Sequence, residues 1–61
     1  MTNLEMLEKM RGPDGFRQFG PAKVQRMFKL SYGQAITWMD WLTEDGFAER
    51  DIDRPWEVRL I

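Results

Sequence analysis

The chain has 61 residues, nine of them basic and ten acidic, and a formal net charge of −1. It contains no cysteine and no histidine, which excludes disulfides, Cys/His zinc sites and histidine-based nucleophilic catalysis. One domain with a small core is expected, because a chain this short buries only about 60% of the surface its unfolded form exposes. No apolar run approaches the 18 or so residues of a membrane span, and Met1 to Glu5 lack the charged-then-apolar order of a signal peptide. The expectation is a cytoplasmic binding protein without cofactor or metal, and not an enzyme.

Thr2 to Arg11 reads as a helix. Leu4, Leu7 and Met10 recur at three-residue spacing with Glu5, Glu8 and Lys9 between them. Thr2 and Glu5 have capping-box spacing. Gly12-Pro13-Asp14-Gly15 then ends the helix. Phe16 to Phe19 reads as a brief strand.

Gly20-Pro21 opens a second helix, since proline suits the first helical position. Val24, Met27 and Phe28 form its apolar stripe, and Lys23, Arg26 and Lys29 lie on another face. It ends near Lys29-Leu30. Ser31-Tyr32-Gly33-Gln34 is a second capping-box spacing and starts a third helix. At about 100° per residue, Tyr32, Ala35, Ile36, Met39 and Leu42 share the core side. Gln34, Thr37 and Trp41 point away, and Trp38 flanks the core. Gly46 stops this helix after Asp45.

Phe47-Ala48-Glu49-Arg50 and Trp56-Glu57-Val58-Arg59-Leu60 alternate apolar and polar residues around Asp51-Ile52-Asp53-Arg54-Pro55, which has turn composition. Together they read as a hairpin. The order is helix, short strand, helix, tight turn, helix, hairpin. Two helices joined by a three- or four-residue turn are the helix-turn-helix unit, and a trailing hairpin makes it winged. The fold class expected for residues 1–61 is therefore α+β, a single winged helix-turn-helix domain. Its core is expected to hold Val24, Phe28, Ala35, Ile36, Met39, Leu42, Phe47 and Val58.

The near-neutral total conceals a segregation of charge. From Gly15 to Met39 stand four bases, Arg17, Lys23, Arg26 and Lys29, and no acid. From Asp40 to Asp53 stand six acids, Asp40, Glu44, Asp45, Glu49, Asp51 and Asp53, against the one base Arg50. Charges screen over about 8–10 Å at physiological salt, so local fields select partners more than the total does.

The stretch Val24-Gln25-Arg26-Met27-Phe28-Lys29-Leu30-Ser31-Tyr32-Gly33-Gln34-Ala35 resembles the C-terminal gamma domain of FtsK/SpoIIIE DNA translocases. That domain carries V/L-Q-R-x-F/L-x-I-G-Y-x-x-A at its helix-turn-helix. Gly46 matches the glycine that ends its recognition helix. Arg54-Pro55-Trp56-Glu57-Val58 is similar to its wing strand, so the likeness spans about residues 17 to 60. The resemblance implies a winged helix that binds double-stranded DNA. The family usually has Asn-Arg after the tyrosine and a further Arg three residues on; here those positions are Gly33, Gln34 and Thr37. The guanine-reading arginines are missing, so the family's sequence preference does not carry over. The chain has no G-x-x-x-x-G-K-[ST] phosphate loop, and motor activity is not expected. A free-standing relative from a phage or mobile element, acting in transcription regulation or as an accessory factor, fits this pattern.

The DNA contacts expected are Lys23, Arg26 and Lys29 on phosphates, and Tyr32, Gly33, Gln34 and Thr37 at the start of the third helix. Gln can bind adenine with two hydrogen bonds, and the Thr methyl can meet a thymine methyl. Gly33 costs about 1 kcal/mol in a helix relative to Ala, a cost that close approach of a partner would explain. Tyr32 reads as core, with a hydroxyl able to reach a phosphate from the core edge. Arg54 at the wing tip reaches DNA or pairs with Asp51 or Asp53. The acids of the third helix would repel phosphate and limit how deeply it enters a groove.

The alternative is a protein-interaction winged helix. Trp38 and Trp41 are its expected anchors, because Trp is enriched at interface hot spots.

Overall fold

The Thr2 and Ser31 capping boxes set the starts of the two longer helices in the computed structural model, which describes residues 1–61. In α1 (Asn3–Arg11), Thr2 Oγ1 accepts the Glu5 N–H at 3.2 Å and Glu5 Oε1 accepts the Thr2 N–H at 2.8 Å. In α3 (Tyr32–Glu44), Ser31 and Gln34 repeat the exchange at 3.2 and 3.0 Å. Each box satisfies N–H groups that a helix start leaves without partners. Between them, α2 (Pro21–Phe28) begins on Pro21 and ends on Lys29.

The chain reverses sharply after α1. A Cβ at Gly15 would collide with the backbone of Met10, so only glycine lets the turn fold back over the helix end. At the end of α3, Gly46 takes φ 81°. The Phe47 N–H bonds to Leu42 O at 2.9 Å and the Gly46 N–H to Thr43 O at 3.3 Å, the paired bonds of a Schellman stop.

Three short strands follow the expected order with tighter limits: β1 (Gln18–Phe19), β2 (Ala48–Arg50) and β3 (Val58–Leu60). The sheet order is β1-β3-β2, antiparallel throughout. Phe19 lies opposite Val58 and Arg50 opposite Val58 on the other side. Trp56, expected in the second wing strand, lies before it and is exposed. Three helices and a three-stranded antiparallel sheet give an α+β domain with the layout of a winged helix-turn-helix.

Twelve buried apolar residues form one core, drawn from every helix and strand: Met6, Leu7 and Met10 of α1, Val24 of α2, Ala35, Trp38, Met39 and Leu42 of α3, and Phe19, Ala48, Val58 and Leu60 of the sheet. Of the eight core positions expected, Val24, Ala35, Met39, Leu42 and Val58 are fully buried. Phe28 and Phe47 are half-buried and pack against the core, and Ile36 is half-buried.

The core face of α3 is rotated from its expected position. Trp38 lies inside it at 3% exposure, and Tyr32 lies outside at 62%. The cause is the bulk of the indole. Its ring stacks on Phe19 with centroids 5.9 Å apart and meets Phe28 edge-on at 5.5 Å. Its Nε1–H donates to Asn3 O at 3.3 Å, which gives the buried polar atom a partner and ties α1 to α3.

Candidate nucleic-acid interface

The helix-turn-helix turn is built from three residues with different tasks. Lys29 adopts the left-handed conformation, φ 55° and ψ 49°, and its N–H bonds back to Gln25 O. The Leu30 N–H joins the same carbonyl at 3.2 Å, and the Leu30 side chain packs against the core. Ser31 is extended and caps α3. The turn therefore brings the exposed Lys29 side by side with the exposed first turn of α3, Tyr32, Gly33 and Gln34.

Lys23, Arg26 and Lys29 are all exposed. The Lys23 ammonium sits 3.9 Å from the Phe16 ring centroid, a cation–π contact that steadies the side chain and leaves its charge uncompensated. Asp14 shares a shallow pocket with Lys23 and Arg26 without forming an ion pair with either. Only Arg50, Arg54 and Arg59 are ion-paired, with Asp40, Glu57 and Glu49 respectively. The four bases of the Gly15–Met39 stretch are free of carboxylate partners. So are Lys9 and Arg11 on α1.

The outward stripe of α3 consists of Gly33, Thr37, Asp40 and Glu44, four residues at helical spacing, all exposed. No atom approaches within 4 Å of where a Gly33 Cβ would stand, so packing inside the domain does not require glycine there. The Thr37 hydroxyl donates to Gly33 O at 2.9 Å, which leaves its methyl as the group available to a partner. Gln34 is engaged in the capping box. Its Oε1 accepts the Ser31 N–H at 3.0 Å, and a bidentate adenine contact needs both amide atoms.

Two further expectations are corrected by burial and pairing. Trp38 is enclosed in the core and is not a surface anchor. Arg54 pairs with neither Asp51 nor Asp53; its Nη1 lies 3.9 Å from Glu57 Oε2, in an exposed contact. Asp51 instead organises the wing tip. Its Oδ1 accepts the N–H groups of Asp53 at 2.8 Å and Arg54 at 2.9 Å, and its Oδ2 accepts Gln18 Nε2 at 3.0 Å. These bonds, the Arg54 N–H foremost, hold the Asp51 carboxyl below its ordinary pKa.

Trp41 is half-buried, with its ring 5.3 Å from that of Phe47. It borders a groove of about 890 Å³ between the N-terminal end of α1 and the outward side of α3. Met1, Met6, Leu30 and Trp41 supply apolar lining, and Asp40 and Glu44 are its only charged side chains. Gly33, Gln34 and Thr37 line the same groove. Arg54 stands apart from it in the wing.

The sequence reading passed over Arg50, the one base among the acids. It lies at the end of β2 and reaches α3: its Nη2 donates to Asp40 Oδ1 at 3.0 Å. One of the α3 acids expected to repel phosphate, Asp40, is thereby paired, whereas Glu44 and Asp45 are not. The signal was present as a single cation inside a run of six acids, but strand-to-helix reach is not visible in a linear order.

No group of three or more carboxylates converges as a metal site, and no helix is long and apolar enough to cross a membrane. The chain matches no family model, no curated protein and no solved structure.

Proposed function

We propose that this chain binds double-stranded DNA through its helix-turn-helix, as a small regulator or accessory factor without motor activity. One observation carries the reading: Arg17, Lys23, Arg26 and Lys29 are exposed and free of ion pairs, whereas the wing arginines are paired. Lys29 leads directly into the first turn of α3, and unpaired cations on and around α2 suit phosphates flanking a groove, where backbone contacts position the protein and the helix start meets base edges. The resemblance to the FtsK/SpoIIIE gamma domain supports the same reading. Thr37 and Gly33 are the groups on α3 that fit close approach to bases, through a methyl and a bare backbone.

The test is a titration of a fluorescent duplex at about 50 and 200 mM salt. Binding should weaken steeply with salt. Arg26→Ala and Lys29→Ala should each weaken binding to all duplexes alike and reduce the salt slope by about one.

A second reading is favoured by the groove beside Trp41, whose acidic and apolar lining suits a protein segment better than a phosphate backbone. Absence of duplex binding at low salt, together with a tight protein partner lost on Trp41→Ala, would establish this reading in place of the first.

A further inference from the structure

The outward stripe of α3 contains no arginine or lysine of its own. Yet a guanidinium is held against it. Arg50 leaves β2 and donates through Nη2 to Asp40 Oδ1 at 3.0 Å and through Nη1 to Pro55 O at 3.1 Å. Asp40 belongs to α3 and Pro55 to the wing, so two elements fix one planar group. The side chain keeps 43% of its surface exposed. Arginine has five N–H donors, and these two bonds leave three of them free.

The other wing arginines are placed differently. Arg59 bonds Glu49 Oε1 at 2.8 Å, and the two residues are register partners across β2 and β3. That pair closes on the sheet surface. Arg54 makes one long contact, 3.9 Å, three residues along its own loop. Only Arg50 carries its charge from the wing to the helix. An exposed ion pair contributes little to stability, so stability alone is a poor reason for this reach. Two acceptors on two elements do hold a fork in one orientation, and that matters for recognition by paired hydrogen bonds.

We propose that Arg50, steadied by Asp40 and the Pro55 carbonyl, reads a guanine in the major groove beside α3 by donating to O6 and N7. This rests on the reading of the α3 face as a DNA interface. The arginine fork that this face lacks in sequence is supplied to it from β2. Asp40 is then a positioning residue: it orients the guanidinium, and its own carboxylate charge is offset by the pair.

The experiment begins with selection of a preferred duplex from a random pool by the wild-type chain. Affinities for that duplex and for a scrambled one are then measured for wild type, Arg50→Lys, Arg50→Ala and Asp40→Asn, with thermal melts to show that each variant is folded. Arg50→Lys keeps the charge and loses the fork. It should bind the selected duplex about tenfold or more weakly, with the salt slope unchanged. Replacing the contacted guanine by 7-deazaguanine, which lacks the N7 acceptor, should weaken wild type strongly and Arg50→Lys little further. Asp40→Asn should show a smaller loss on the selected duplex. Equal binding by Arg50→Lys and wild type, while Arg26→Ala and Lys29→Ala weaken binding, would overturn the assignment and leave DNA binding standing. A uniform loss on all duplexes in Arg50→Ala, with the salt slope reduced by about one, would make Arg50 a phosphate contact and also overturn it. Failure of the wild type to bind any duplex would overturn the underlying reading itself.

Discussion

Lys29 occupies a backbone position that glycine fills at many helix ends. A left-handed conformation costs an L-residue roughly 1–2 kcal/mol, and Lys29 adopts it at φ 55°. Lys29→Gly should therefore raise stability by about 1 kcal/mol in urea melts. It should at the same time weaken duplex binding and lower the salt slope by about one. A more stable variant with unaltered binding would remove Lys29 from the interface. Single residues also show where sequence reading reached its limit. Gln34 was legible as a capping residue from its spacing to Ser31, and the structure shows its amide oxygen engaged there. Trp38 could be placed on the border of the core by periodicity alone. Its burial depends on Phe19 and Phe28 closing around it, and those contacts cross between elements.

The helices were legible because their signals are local. Caps, a leading proline and a terminal glycine each act within four residues, and all three helices begin and end close to where those signals lie. The strands were less so. Alternation placed β2 and β3 in a hairpin, but the pairing of β1 with β3, Gln18 opposite Arg59, joins distant parts of the chain. The wing loop between β2 and β3 depends on one carboxylate. The Asp51 pKa is lowered chiefly by the Arg54 N–H, with the Asp53 N–H and the Gln18 amide adding to it. A depressed folded-state pKa contributes stability that is present above the unfolded value and lost as pH falls through the folded one. The domain should thus lose this contribution below about pH 4, the ordinary carboxylate range. Asp51→Asn keeps an oxygen acceptor and cannot titrate, so its thermal midpoint should fall less steeply from about pH 4 to about pH 2 than that of the wild type. Parallel acid limbs in the two proteins would show that the loop does not sense pH through Asp51.

At the scale of the whole molecule, the segregation of charge along the chain becomes a difference in pairing. The early bases are left free and the late acids hold the wing arginines. A domain this size has little stability to spare, and its twelve-residue core draws on every element. Leu42 is fully buried in it. Leu42→Ala should cost about 2–5 kcal/mol, enough to leave much of the population unfolded at 25 °C by circular dichroism. A native melt for that variant would mean that the core closes over the lost side chain.

The sheet order has a consequence for synthesis. Every strand pairing runs through β3, which lies between β1 and β2. As the chain leaves the ribosome, α1, α2 and α3 can all form on local contacts. β1 and β2 have no partner until Val58–Leu60 follows them out. Phe19 and Ala48, buried in the finished domain, remain uncovered during that interval. The nascent chain thus passes through a stage with a complete helix-turn-helix and an open apolar flank, a state suited to capture by chaperones.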